Sequence, residues 1–150
     1  MKPSLFVVEP PRRLLVVEDN FLMAQVICDF ARDCGFEPVG PACDLDAGLN
    51  LAWDERIDGA VLDINLGGRP CFPICSVLAR RGVPFLFLSG YTPGAMIPNE
   101  YRSAAHVEKP FIAEQFRDEL ELLVHGARRA PAAVDDSARS ILSRRTAGLC

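Results

Sequence analysis

Apolar residues along this chain come in short runs that stop abruptly at polar ones. Leu14 to Val17 ends in Glu18 and Asp19, Ala60 to Leu62 ends in Asp63, and Pro84 to Leu88 ends in Ser89-Gly90-Tyr91. Runs this short and continuously apolar predict strands covered on both faces, as in a parallel sheet. Between them the period changes. After Asn20, a residue suited to a helix N-cap, Phe21, Ala24, Ile27 with Cys28, and Ala31 recur at helical spacing until Gly35. Phe36 to Val39 predicts a second short strand despite Pro38, closed by a turn at Gly40-Pro41. Asp44 or Asp46 can cap the next helix, which carries Leu45, Leu49 and Ala52 with Trp53.

Gly67-Gly68-Arg69-Pro70 predicts a loop, and Ile74, Val77, Leu78 and Ala79 a weaker helical pattern ending at Gly82. The stretch TPGAMIPNEYRSA leaves room only for a short or irregular helix. His106 to Glu108 predicts a brief fifth strand before Lys109-Pro110. IAEQFRDELELLVH then places Phe116, Leu120, Leu123 and Val124 on one face of a last helix. Strands alternating with helices in this way predict an α/β fold, a doubly wound five-stranded parallel sheet with helices on both faces and right-handed crossovers. The polar strand ends then meet in one crevice at the carboxyl edge, at the switch point of strand order.

The chain has 150 residues, 49% hydrophobic and 24% charged, which suits one domain with a substantial core. We expect residues 1–11 to be an N-terminal lead, 12–125 the domain, and 126–150 a flexible tail with a marginal helix over 137–145. The tail carries five Arg against two Asp, a local +3, so the remainder holds −7 of the net −4. That balance argues against a nucleic-acid surface. Pro10, Pro11, Arg12 and Arg13 break the N-terminal apolar patch before a signal-like core forms, and no run approaches the roughly 18 residues of a membrane span. A cytoplasmic location is the expectation. None of the six cysteines is spaced Cys-x-x-Cys, so they read as reduced, mostly buried small hydrophobes, and two histidines do not make a His-rich metal site.

The predicted crevice gathers Glu18, Asp19, Asp63, the Ser89 hydroxyl and the Lys109 ammonium. Three carboxylates that close raise one another's pKa unless a cation sits among them. A hard ion taking oxygen ligands fits, Mg²⁺ above all, with the backbone carbonyl of Asn65 as a further oxygen donor. Lys109 supplies a point charge for a carboxylate or a phosphoryl group, Ser89 a donor to a phosphoryl oxygen, and Gly90 space for a bulky group to approach. A carboxylate nucleophile, Mg²⁺, a lysine and a hydroxyl are the parts needed to make and hold an acyl phosphate.

VVEDN, VLDINL, LSGY and EKPF, in this order on these strands, resemble the receiver domain of bacterial response regulators over about residues 12–125. The resemblance implies a CheY-like, flavodoxin-like fold with strand order 2-1-3-4-5. It implies Asp63 as the phosphoacceptor from a phosphohistidine, and Mg²⁺ held by Asp19 directly, Glu18 mostly through water, Asp63 and the Asn65 carbonyl. Lys109 would pair with the phosphoryl group, Ser89 would swing toward it, and the peptide between Lys109 and Pro110 would be cis. Phe87 to Tyr91 is similar to the Phe-Ala-Thr-Gly-x-Tyr motif of stand-alone receivers, with Leu88 and Ser89 in place of Ala and Thr. His106 stands where the family usually has a Tyr or Phe ring that flips inward. It is either exposed and titrating or a partly buried imidazole filling that space, and Tyr91 could gate the crevice or replace the missing ring.

The expected partners are a sensor histidine kinase or histidine phosphotransfer protein and a downstream protein reached through residues near 101–124. No DNA-binding domain and no membrane contact are expected, and a homodimer is left open. The chain is expected to be no enzyme but a phosphoacceptor supporting its own phosphorylation and dephosphorylation. Two other readings compete: a degenerate receiver that only docks, against which Asp63, Asp19 and Lys109 stand, and a Mg²⁺-dependent nuclease or topoisomerase-like domain. Asn65 breaks the Asp-x-Asp pair the latter needs.

Overall fold

The computed structural model describes residues 9–90 and 96–133, with side chains through residue 126. Strand β1 (Arg12–Val17) leads into helix α1 (Phe21–Asp33), then β2 (Phe36–Ala42), α2 (Leu45–Asp54) and β3 (Gly59–Asp63). A small hairpin of β4 (Asn65–Leu66) and β5 (Arg69–Pro70) precedes α3 (Phe72–Arg80), β6 (Phe85–Ser89), a 3-10 turn at Asn99–Tyr101, β7 (Ala105–Glu108) and α4 (Ala113–Ala133). The main sheet is parallel, in the order β2-β1-β3-β6-β7. With the hairpin set aside, this is the expected order 2-1-3-4-5.

Because strand side chains alternate between faces, each strand feeds two cores. Leu15, Val17, Ala60, Leu62 and Phe87 pack on the α2 and α3 side with Ala52, Ile74 and Leu78. Leu14, Val16, Val61, Leu86, Leu88 and Val107 pack on the α1 and α4 side with Ile27, Phe116 and Leu120. Phe116 is fully buried, its ring 6.0 Å from that of Phe30 and 5.3 Å from that of Phe111. Phe116→Ala is therefore expected to cost about 3–5 kcal/mol, since it empties a close-packed site, and denaturant unfolding measures it. A loss under 1 kcal/mol would mean that α4 does not anchor this core.

Helix starts follow their side chains. Asn20 Oδ1 accepts the Met23 N–H at 2.9 Å, and Asp44, rather than Asp46, caps α2 by accepting the Ala47 N–H at 2.8 Å. The Arg81 guanidinium donates to the carbonyls of Ala52 and Glu55, tying the end of α2 to the end of α3.

Four local expectations are corrected. Gly40-Pro41 is not a turn: β2 runs through it to Ala42, and the register against β1 slips between Leu15 and Val17. Gly40 sits at φ +99°, where an added Cβ would lie 2.7 Å from the Ala42 nitrogen, so a glycine bulge continues the strand there. The Gly67-Gly68 loop is the tight turn of the β4–β5 hairpin, both glycines having positive φ. Phe21 and Trp53 share their helices' apolar spacing yet are 72% and 53% exposed, because each lies at a helix end beyond the reach of the sheet. The last helix continues past His125 to Ala133. The segment 137–145 lies outside the described residues.

Candidate phosphoacceptor site

The carboxyl ends of β1, β3 and β6 deliver the site, and the loop after β7 closes it. Main-chain bonds fix the framework: the Glu18 N–H donates to the Ala42 carbonyl at 3.0 Å and the Lys109 N–H to the Ser89 carbonyl at 2.8 Å. Glu18 is only 1% exposed. Its Oε2 accepts from Lys109 Nζ at 2.7 Å and its Oε1 from the Asn20 N–H at 3.2 Å. Lys109 Nζ also lies 3.5 Å from Asp63 Oδ2. The Lys109–Pro110 peptide is cis, as is Gly40–Pro41.

Glu18, Asp19 and Asp63 each bring a carboxylate oxygen within 4.8 Å of the others. Asp19 Oδ2 accepts the Gly67 N–H at 3.1 Å, so the hairpin turn reaches back over β1. Asp63 Oδ1 accepts the Asn65 N–H at 3.3 Å. Next door, the Cys71 N–H donates to the Ile64 carbonyl, so Ile64 faces its hairpin partner and Asn65 faces away. In extended backbone the N–H and C=O of one residue share a side, which leaves the Asn65 carbonyl turned toward the Asp63 carboxylate.

Burial pushes the Asp63 carboxyl up to about 7, with the Glu18 charge and hydrogen bonds to Asp19 and Glu18 acting the same way and Lys109 opposing them. Burial also pushes Asp19 up, but hydrogen bonds from Asp63, the Gly67 N–H and Glu18 outweigh it and leave Asp19 below the ordinary carboxylate value. The two carboxyls are thus pushed apart, Asp63 toward its protonated form and Asp19 toward its ionised one. Three carboxylates crowded this closely offer hard oxygen donors that a divalent cation would suit.

Ser89 is 4% exposed, and its Oγ lies 2.8 Å from Nε2 of His106, which is exposed. The pair follows from register. Phe87 faces His106 and Ser89 faces Glu108, so Ser89 and His106 are diagonal neighbours on one sheet face. His106 is exposed although it shares that sheet face with the fully buried Phe87. Tyr91, and with it the end of the FLSGY pattern, lies outside the described residues. Backbone groups were missed at the sequence level: neither the Gly67 N–H on Asp19 nor the Asn20 N–H on Glu18 has a side-chain signature. A cavity of about 240 Å³ lined by Arg12, Ile57, Arg81 and Val124 lies at the opposite, amino edge of the sheet and is no part of the site.

The sheet order, with acids at the carboxyl ends of β1 and β3 and a lysine after β7, defines a receiver domain. The chain belongs to the CheY-like response regulator receivers. It is similar to a CheY-like receiver domain protein of Methanospirillum hungatei, with a TM-score of 0.70 at 19% identity over 81% of this chain and 99% of that one. SdrG of Sphingomonas melonis is 31% identical, with a TM-score of 0.67 over 76% of this chain and 97% of its own. Among curated proteins, the transcriptional regulatory protein PdtaR of Mycobacterium tuberculosis is 26% identical over 125 residues, 81% of this chain. The chain spans 61% of the length of that relative. No protein-family model matches the chain. Among the described residues no helix is long and apolar enough to cross a membrane.

Proposed function

We propose that this chain is a phosphoryl-accepting receiver of two-component signalling, and that Asp63 takes the phosphoryl group from the phosphohistidine of a sensor histidine kinase or histidine phosphotransfer protein. One observation carries the reading: Asp63 is held at a strand end with Glu18 and Asp19 within 4.8 Å and Lys109 Nζ at 3.5 Å. Transfer forms a bond from an Asp63 oxygen to phosphorus and breaks the phosphorus–nitrogen bond of the donor imidazole. Lys109 neutralises charge on the phosphoryl oxygens, and the Ser89 hydroxyl hydrogen-bonds to one of them.

Asp19, Asp63 and the Asn65 carbonyl would hold Mg²⁺, with Glu18 behind them. Bound there, the ion supplies charge stabilisation for phosphoryl transfer. The protein acts in the cytoplasm as a phosphoacceptor and not as a turnover enzyme, and it passes its signal by protein contact or relay. Exposed Phe21 and Leu22, on the first turn of α1 directly after Asp19 and Asn20, support contact with a donor protein beside the site. Leu22→Ser should slow transfer from a cognate phosphohistidine protein at least several-fold while leaving uptake from acetyl phosphate unchanged. Equal slowing with both donors would remove that surface from the account.

Incubation with acetyl phosphate and Mg²⁺, read by intact mass, tests the main reading. One phosphoryl group per chain is expected, none when a chelator is present. No incorporation over a range of phosphodonors would rule the reading out.

A further inference from the structure

The pair formed by Ser89 and His106 has a consequence that rests on the phosphoacceptor reading above. Ser89 has one hydroxyl proton, and among the described residues His106 Nε2 is its one hydrogen-bond partner. A buried hydroxyl proton with no acceptor is costlier than an unfilled oxygen lone pair, so the tautomer that satisfies Ser89 is the one in which Nε2 accepts the O–H and Nδ1 carries the ring proton. In that arrangement Ser89 has no proton left for a phosphoryl oxygen.

We propose that His106 is a positioning residue that works through Ser89 by reversing this hydrogen bond when Asp63 carries a phosphoryl group. Nε2 gains a proton from water and Nδ1 gives one up to water, so the ring stays neutral and the exchange balances. Nε2–H then donates to Oγ, and the Ser89 O–H, still covalently intact, turns to the phosphoryl oxygen. The exposure of His106 gives water access to the ring for this exchange. Burial of Ser89 keeps water from replacing the imidazole as its partner. A phenyl ring at position 106 could serve as neither donor nor acceptor, whereas an imidazole serves as both without moving.

The test is imidazole ¹⁵N spectroscopy on the full chain, using Mg²⁺ with beryllium fluoride as the probe. His106 should be the Nδ1–H tautomer without the probe and the Nε2–H tautomer with it, and in Ser89→Ala the probe should leave the ring unchanged. If the probe binds, seen as shifts of the amides around Asp63, but the ring does not change, or changes equally in Ser89→Ala, the proposal is wrong. If the probe does not bind at all, the phosphoacceptor reading fails and takes this one with it.

Uptake from acetyl phosphate gives a second measurement. His106→Phe and Ser89→Ala should each slow it about fivefold, the worth of one hydrogen bond, and the double variant should be no slower than either. His106→Gln, which keeps a donor and an acceptor, should retain more of the rate than His106→Phe. Multiplicative slowing in the double variant, or equal loss in His106→Gln and His106→Phe, overturns the proposal.

Discussion

Lys109→Met is expected to cost the fold about 3–5 kcal/mol, a large loss for a residue that is not itself in a core. The reason lies with its partner. Glu18 is 1% exposed and accepts from Lys109 Nζ at 2.7 Å and from the Asn20 N–H at 3.2 Å. Removing one member of a buried ion pair strands the other charge, and the cost is mostly that of the stranded carboxylate. Glu18→Gln in the Lys109→Met background should therefore recover much of the loss, because it removes the charge left behind. Denaturant unfolding of the four proteins measures this. If the double variant is as unstable as the sum of the singles, the pair is not the source of the effect.

Asp63→Asn should make the metal-free protein more stable at neutral pH and flatten its pH dependence. With the folded carboxyl pushed up to about 7 from an ordinary 3.8, native Asp63 keeps its proton across that interval while the unfolded chain has released it. The unfolded state then binds fewer protons, so stability falls as pH rises from about 4 to about 7 and levels off above. A shift of this size corresponds to about 4 kcal/mol, at 1.36 kcal/mol per unit. Asp19 acts oppositely. Its lowered carboxyl adds stability that is present above the ordinary value and lost as pH falls below it. Saturating Mg²⁺ should restore stability at pH 7 and above in the natural protein and much less in Asp63→Asn, since a ligand bound only by the folded state stabilises it. A metal-free stability that is flat from pH 4 to 7 would contradict the crowding of carboxylates on which the site rests.

Much of this was legible in the chain because the features are local. An apolar run that stops at an acid is read directly as Leu14–Val17 before Glu18 and Asp19, or Ala60–Leu62 before Asp63. Strand order then brings Glu18, Asp19, Asp63, Ser89 and Lys109 to one edge. What escaped depends on partners distant in sequence or on backbone groups. The bulge at Gly40 answers to β1, not to its own turn-like neighbours. Phe21 matches the α1 spacing, but whether a helix end reaches the sheet is a matter of tertiary placement. The bond between Ser89 and His106 needs the register of β6 against β7, which neither strand alone fixes.

The central claim is that the carboxylate of Asp63 is the atom group that takes the phosphoryl. The most direct measurement is to phosphorylate the protein with Mg²⁺ and acetyl phosphate, reduce the acyl phosphate with borohydride, and map the modified residue by peptide mass spectrometry. The label is expected at Asp63 alone and should be absent in Asp63→Asn. Label retained in Asp63→Asn, or mapped to Asp19 or Glu18 in the natural protein, would contradict the account.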